Sequence, residues 1–372
     1  MSLNVLLAGG GTTGHVAPLL ALADCLVRRD PSTSVTVLGT AEGLESRLVP
    51  QAGYSLSVVP RVPLPRRPTL DLARLPVRLR AAVAAAEQAV RESAADVVVG
   101  FGGYVSTPAY VAARRLGVPV VVHEQNARPG LANRLGARLT PYVAVTFPAT
   151  PLRGAQVVGM PLRTQITGLD RAAGRAAARA ALGLEPDRTT LLVTGGSLGA
   201  ARLNETFGAA AADLLDAGIQ VLHAAGRGKT VPLADLAEQA AVIRPAYVVR
   251  EYLDRMDLAY AAADAVVCRA GAGTVCELTT VGLPAVYVPL PIGNGEQRLN
   301  ALPVAQAGGG LLVDNAACTP DWVRRELVPL LADRPRLAAM AQAAARFGIR
   351  DADERLADLV LRAAASRRET PS

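Results

Sequence analysis

Aromatic residues are scarce in this chain, with Phe, Trp and Tyr making up 3% of 372 residues. Alanine, valine and leucine must therefore fill the interior. The four cysteines, Cys25, Cys268, Cys276 and Cys318, form no CxxC pair and show no metal-ligand spacing. That excludes a disulfide scaffold and a zinc module, and points to thiols in a reducing cytosol. Lysine is nearly absent, so the formal net charge of +7 rests on arginine. Such a balance suits nucleic acid, an anionic membrane face or anionic substrates. No nucleic-acid module and no basic–aromatic interleaving is present, so nucleic acid is not an expected partner. No apolar run reaches the length of a transmembrane helix. The N-terminus lacks the cationic and then apolar pattern of a signal peptide. The expected location is cytoplasmic, soluble or peripheral at the membrane.

What is present is a globular composition, 51% apolar and 19% charged, on a chain long enough for two domains. Short β-rich runs alternate with Ala/Leu/Arg-rich helical stretches. The pattern predicts strands at 3–8, 34–39, 55–59, 97–101, 119–123 and 142–147, and then at 189–194, 219–224, 246–250, 265–269 and 285–289. This alternation predicts α/β domains with parallel sheets covered on both faces. The segment VVGMPLRTQITG, 157–168, carries Pro161 and Gly168 and reads as the linker. A last helix is predicted over 351–366.

Two strand-to-helix turns are glycine-rich, GGGTTGH at 9–15 and GGSLGAA at 195–201. Free N–H groups beside a positive helix end suit phosphate or another anion. The first turn satisfies GxGxxG through Gly9, Gly11 and Gly14. However, SVTVLGT ends in Gly39-Thr40, without the ribose-binding acid of a dinucleotide fold. Glu42 and Glu45 follow in the next helical segment. The first turn also carries His15, at the mouth of the strand ends, where it can accept a proton.

Other strand ends are polar. GFGGYVSTP, 100–108, offers Ser106 or Thr107 as a helix cap. VVVHEQNARPG clusters His123, Glu124, Gln125 and Asn126, a composition that suits sugar hydroxyls as well as turn formation. Ser197 lies in the second glycine turn. AVVCRAGAGTVCE predicts a helix from near Thr274 with Glu277 in its first turn, where a carboxylate either favours the dipole or accepts a ribose diol. GNGEQRLNA supplies Glu296, Gln297 and Asn300. No DxD element stands at a strand end, which favours neutralisation of a diphosphate by backbone N–H groups and arginine over a metal cage. Segment 61–80 is rich in Arg, Pro and Leu. It reads either as a solvated face or as a membrane patch, with Leu70, Leu72, Leu75 and Val77 entering lipid.

In this order GGGTTGHVAP, GFGGYVSTPA, HEQN, GMPLR, GGSLGA, CRAGAGTVCE and NALP resemble the MurG family of bacterial N-acetylglucosaminyltransferases, over most of the chain. The resemblance implies a GT-B fold, two Rossmann-like doubly wound domains with a cleft. It implies domains at 1–161 and 162–344, with a helix at about 345–366 packing back on the first. It implies inverting transfer of N-acetylglucosamine from UDP-N-acetylglucosamine to the 4-hydroxyl of undecaprenyl-diphosphate-linked muramoyl-pentapeptide. Gly11, His15 and Tyr104 would meet the acceptor, with His15 as candidate base. Thr12, Thr13, Gly14, Asn126, Arg163, Ser197, Leu253, Ala272, Gly273, Thr274, Glu277, Gln297 and Asn300 would meet the donor. Ser197 would lie near the diphosphate, the Leu253 backbone at uracil and Glu277 at ribose. No cofactor or metal ligand set is implied, with a divalent cation at most stimulatory. The implied place is the cytoplasmic face of the membrane, with an anionic surface and cell-wall and division proteins as partners. Two positions depart from the family pattern: Thr13 replaces a glycine, and Glu296 replaces the first of two glutamines. The competing readings are a glycolipid transferase acting on diacylglycerol, a dinucleotide oxidoreductase and a non-catalytic sugar-nucleotide-binding subunit.

Overall fold

The computed structural model describes residues 2–62, 71–196, 199–233 and 247–368. The chain divides into two units, Met1–Arg163 with Asp351–Ser372, and Thr164–Arg350.

In the first unit, runs rich in valine and leucine form β1 (Asn4–Gly9), β2 (Ser34–Gly39), β3 (Ser55–Val58), β4 (Val97–Gly102), β5 (Val120–Glu124), β6 (Val143–Val145) and β7 (Gln156–Val157). Their order in one sheet is β3-β2-β1-β4-β5-β6-β7, and every pairing is parallel. Helices α1 (Thr13–Arg29), α2 (Glu45–Gln51), α3 (Asp71–Glu92), α4 (Ser106–Arg115) and α5 (Leu131–Gly136) connect the strands. The alternation along β1 supplies both faces: Val5 and Leu7 enter one core, Leu6 and Ala8 the other. The strand order reverses between β1 and β4, and ligands bind α/β sheets at such a crevice.

The second unit opens with α6 (Thr164–Thr167) and α7 (Arg171–Leu182). It continues through β8 (Thr189–Thr194), α8 (Ala201–Ala209), α9 (Ala211–Asp216), β9 (Ile219–Ala224), β10 (Tyr247–Arg250), α10 (Met256–Ala262), β11 (Ala265–Cys268) and α11 (Ala272–Val281). β12 (Ala285–Tyr287), α12 (Glu296–Gln306), β13 (Gly310–Leu312), a helical run α13 (320–332) and α14 (Arg334–Ala345) complete it. The sheet order is β10-β9-β8-β11-β12-β13, again parallel throughout, with its reversal between β8 and β11.

The last helix, α15 (Ala352–Arg368), belongs to the first unit. Leu356, Leu359, Val360, Ala363 and Ala364 bury against Leu19, Leu22 and Leu26 of α1. Burial of each large apolar side chain contributes about 1.5–3 kcal/mol. Ion pairs set the rim: Arg28 meets Asp353 at 3.0 Å and Glu354 at 2.7 Å, and Arg29 meets Asp358 at 2.7 Å. Cys25 lies beneath them. Cys25, Asp353 and Glu354 are close enough to suggest a metal site. Arg28 occupies both carboxylates, however, and burial with the two carboxylates pushes the Cys25 thiol up to about 12, so no thiolate is available to a cation. Among the described residues no helix is long and apolar enough to cross a membrane.

Candidate active site

In the first unit the glycine turn after β1 leads into α1, which begins at Thr13 with no side-chain cap on its exposed N–H groups. Gly11 holds a φ of +85°, which only glycine adopts at little cost. Its N–H donates to Glu45 Oε2 at 2.9 Å. Glu45 Oε1 accepts from the backbone N–H of Thr40 at 2.9 Å and from its hydroxyl at 2.8 Å. The Glu45 carboxylate is fully buried between the end of β2 and the glycine turn. A Cβ at Gly10, Gly39 or Gly43 would stand within 2.4 Å of its atoms, so three glycines make room for this one side chain. Burial opposes its ionisation, yet the hydrogen bonds from Gly11 and Thr40 outweigh burial and hold it below the usual carboxylate range. An internal anion thus takes the Gly11 amide, and its charge disfavours a pyrophosphate in the dinucleotide manner. Glu45, six residues beyond the end of β2, is thus turned to the glycine loop.

His15 stands half-exposed in the first turn of α1. Gly102, with a φ of +96°, lies under its ring: a Cβ there would be 3.2 Å from His15 Cε1. Gly103 closes on the Gly10 carbonyl in the same way, at 2.7 Å. Ser106 caps nothing. Its buried hydroxyl accepts from Gly102 N at 2.9 Å and faces the Ala8 and Gly102 carbonyls, which joins the ends of β1 and β4. Tyr104 is exposed beside this turn, with the Arg61 guanidinium 5.7 Å from its ring centroid.

The HEQN cluster divides. His123, Glu124 and Gln125 are buried, so they act within the protein rather than on sugar hydroxyls. Glu124 accepts from Asn126 N at 2.9 Å, Gly130 N at 3.0 Å and Asn133 Nδ2 at 2.9 Å, and so shapes the loop after β5. Gln125 and His123 form a hydrogen-bonded chain to His15. Asn126 alone of the four is half-exposed, its carbonyl accepting from Thr150 Oγ1 at 3.2 Å. Arg163, at the end of the first of this unit's two segments, is exposed.

In the second unit the turn after β8 folds tightly, since a Cβ at Gly195 would stand 2.2 Å from Ala200 N. Ser197 lies outside the described residues. The turn after β11 leads into α11, whose N-cap, Gly271, is extended and carries no side-chain cap. Ala272, Gly273 and Thr274 form the first turn of that helix. Glu277 lies in the second turn rather than the first, because the helix begins two residues before Thr274. It is therefore placed by its neighbour: the hydroxyl of buried Tyr260 donates to Glu277 Oε2 at 2.7 Å. Gln297 Oε1 accepts from Ala270 N at 3.2 Å and Leu290 N at 2.9 Å, which bridges the ends of β11 and β12 and leaves its amide nitrogen as the outward donor. Asn300 is fully buried, with Nδ2 3.3 Å from the Ala270 carbonyl, so it supports the turn from beneath. Glu296 takes part in the turn opening α12: its Oε2 accepts from Asn294 N at 3.3 Å, and its own N–H donates to Asn294 Oδ1 at 3.2 Å. Leu253 is half-buried in the loop between β10 and α10.

Each unit places a glycine at the second residue of such a helix, Gly14 in α1 and Gly273 in α11. Neither has a positive φ. A Cβ on Gly14 would meet only Thr12 Oγ1, at 3.6 Å, and one on Gly273 nothing within 4 Å. No feature of the described fold requires glycine at either place, although glycine weakens a helix by up to about 1 kcal/mol relative to alanine. The open space above them suits a ligand that approaches the backbone.

A cavity of about 440 Å³ lies elsewhere in the second unit, lined by Arg171, Arg175, Arg179, Asp264 and Arg334 among others. Arg171 donates to the Tyr260, Ala263 and Gly282 carbonyls at 3.0, 2.7 and 2.8 Å. Arg179 donates to the Ala262 and Pro186 carbonyls and to Asp264. Helix ends leave such carbonyls without intrahelical partners. These arginines clamp the ends of α10 and α11 and are committed there, which sets this cavity apart from the loops at the strand ends.

Comparison with known proteins follows this division. The glycosyltransferase family 28 N-terminal domain model matches residues 5–145, and the C-terminal domain model matches 190–356. A Nocardioides sp. protein named UDP-N-acetylglucosamine--N-acetylmuramyl-(pentapeptide) pyrophosphoryl-undecaprenol N-acetylglucosamine transferase is 61% identical, over 96% of this chain and 98% of its own. A Streptomyces avermitilis protein of the same name is 58% identical, over 98% and 99%. The crystal structure of Acinetobacter baumannii MurG aligns with a TM-score of 0.76 at 29% identity, covering 97% of this chain and 99% of that one. The parallel sheets, their reversal points and these matches agree on a GT-B fold, and the chain belongs to glycosyltransferase family 28, within its MurG family.

Proposed function

We infer that the chain is the UDP-N-acetylglucosamine-dependent N-acetylglucosaminyltransferase that glycosylates undecaprenyl-diphosphate-linked muramoyl-pentapeptide. The near-full-length identity to transferases of that name carries the reading. The acceptor 4-hydroxyl attacks the anomeric carbon from the face opposite UDP. The C1–O4 bond forms, the C1–O bond to the diphosphate breaks, and UDP leaves with that electron pair. We assign the hydroxyl proton to His15, because it is the half-exposed base at the reversal point of the first sheet. Gly11 and Tyr104 would border the acceptor.

The second unit supplies donor contacts in this reading. Uncapped N–H groups at Ala272, Gly273 and Thr274 would face the diphosphate and stabilise its growing charge. Glu277, oriented by Tyr260, would accept from the ribose diol. The outward amide of Gln297 would donate to the transferred sugar, with Asn300 holding the turn beneath it. Thr12, Thr13, Gly14, Asn126, Arg163, Ser197 and the Leu253 backbone complete the assigned donor contacts. Where backbone N–H groups carry the leaving group no metal is required, so turnover should persist in excess chelator, with a divalent cation at most stimulatory.

The chain would work at the cytoplasmic face of the membrane, held peripherally, in step with cell-wall and division proteins. Arginines of segment 61–80 and the exposed Val77 and Leu131 support an anionic surface as partner. Leu70 and the side chain of Leu72 lie outside the described residues. Binding to anionic vesicles should fall steeply with salt; equal binding to neutral vesicles at high salt would remove the arginine role. The central test is incubation with labelled UDP-N-acetylglucosamine and a panel of lipid-linked muramoyl-pentapeptide and diacylglycerol. Label should appear on the first alone. Label only on diacylglycerol would establish the glycolipid alternative, and none on either would refute the assignment.

A further inference from the structure

The hydrogen-bonded chain behind His15 determines which of its ring nitrogens carries the lone pair. It begins at the Gly159 carbonyl, which can only accept. His123 Nε2 lies 2.9 Å from that oxygen and must be the protonated nitrogen of its ring. His123 is wholly buried, and burial lowers its pKa to about 4, so the ring is neutral and Nδ1 carries its lone pair. Gln125 Nε2 lies 2.9 Å from that nitrogen and 2.8 Å from the His123 carbonyl. Two acceptors on one side fix the side-chain amide with its NH₂ group towards His123. Gln125 Oε1 therefore points the other way, 2.9 Å from His15 Nδ1. An amide oxygen has no proton to give, so His15 Nδ1 must donate.

We propose that Gln125 and His123 are positioning residues that hold His15 in the Nδ1–H tautomer, leaving the lone pair on Nε2 to receive the acceptor's proton. The proposal rests on the assignment of His15 as the base. The proton moves from the acceptor oxygen to His15 Nε2 and stops there. Nδ1–H remains donated to Gln125 in both ring states, so no proton passes into the chain behind it. The three buried polar groups are satisfied by one another, and the neutral ring at the inner end keeps the chain free of charge. Gly102 contributes by its missing side chain, since a Cβ there would press on the ring at Cε1, 3.2 Å away.

The test reads the tautomer directly. In the full chain labelled with nitrogen-15 histidine, under conditions where His15 is neutral, its Nε2 should show the pyridine-like shift and Nδ1 the pyrrole-like shift. The reverse assignment in the wild-type protein overturns the proposal, and this measurement needs no variant. Gln125→Leu removes the acceptor and should move His15 towards the Nε2–H form. We expect kcat to fall about 10- to 100-fold, within the range that general-base catalysis commands, with both KM values within about twofold. His123→Phe leaves the His123 carbonyl to hold the Gln125 amide and should cost less than Gln125→Leu. Unchanged kcat in a folded Gln125→Leu protein would also overturn the proposal. The two readings fail separately. Full activity of His15→Ala would refute the base assignment whatever the tautomer, whereas an inactive His15→Ala beside a fully active Gln125→Leu would refute only the positioning role.

Discussion

The two units share one six-strand order, with β7 added at the edge of the first, and use the strand ends differently. In the first, side chains behind the loops do the organising: Glu45 takes the Gly11 amide, Ser106 joins β1 to β4, and Gln125 with His123 fixes a half-exposed imidazole. In the second, side chains set out the backbone. Gln297 and Asn300 hold Ala270, and Tyr260 turns Glu277. One arrangement fixes an imidazole, the other a turn of uncapped N–H groups and a carboxylate. A buried histidine also occurs in the second unit, His223 on β9, bonded to Tyr247 and Asn204 and lowered by burial to about 4. It leads to no exposed partner in that network, so it braces the sheet. A buried histidine is thus a structural element in one unit and the inner end of a path to the site in the other.

The sharpest test of this contrast is His15→Ala. It should lower kcat about 10²- to 10⁴-fold with the donor KM unchanged, read by steady-state kinetics. A shift in donor KM alone would erase the distinction. Glu277→Ala should do the opposite, raising the donor KM about 10- to 100-fold, as expected for hydrogen bonds to a charged acceptor at about 1.5–3 kcal/mol. Titration calorimetry with UDP would report the same loss. For Glu45, acid stability is the measure. Its folded-state pKa is depressed, so its contribution is present above the unfolded value, about 4.3, and is lost as pH falls through the folded value. Glu45→Gln should be less stable at neutral pH and should flatten the stability–pH curve below about pH 4. A parallel curve would mean that Glu45 is not ionised in place. The smallest effect is expected from Gly14→Ala and Gly273→Ala. Each should stabilise the fold by about 0.4–1 kcal/mol in denaturant melts while weakening substrate binding. Loss of stability at either position would show that the glycine serves the fold.

Much of the fold was legible because the strands are short apolar runs bounded by turns. The eleven expected strands all occur, within a residue or two at most ends. β7 and β13 were not foreseen: two residues at a sheet edge, and GLL after two glycines, are too short to show a period. The position of His15 could be read from the glycines around it. The role of Glu45 could not, because it lies six residues beyond β2 and its side chain turns back to a loop far earlier in the chain. For the same reason Gln125 and His123 read as ligand contacts. Sequence shows that a polar cluster ends β5, but only packing shows that three of its four members face inward. The helix start at Ala272 is not legible because AGAG carries no cap residue, and the two-residue difference moves Glu277 from the first turn into the second.

α15 follows the whole second unit in sequence but completes the core of the first. On the ribosome, the first unit therefore emerges with the apolar face of α1 open and stays so while some 190 further residues are made. The final helix must leave the exit tunnel before that face is covered. A nascent chain stalled after Arg350 should expose α1 to chaperones and proteases, and release of the last helix should end that exposure. The order of synthesis thus makes the N-terminal unit the last to become stable.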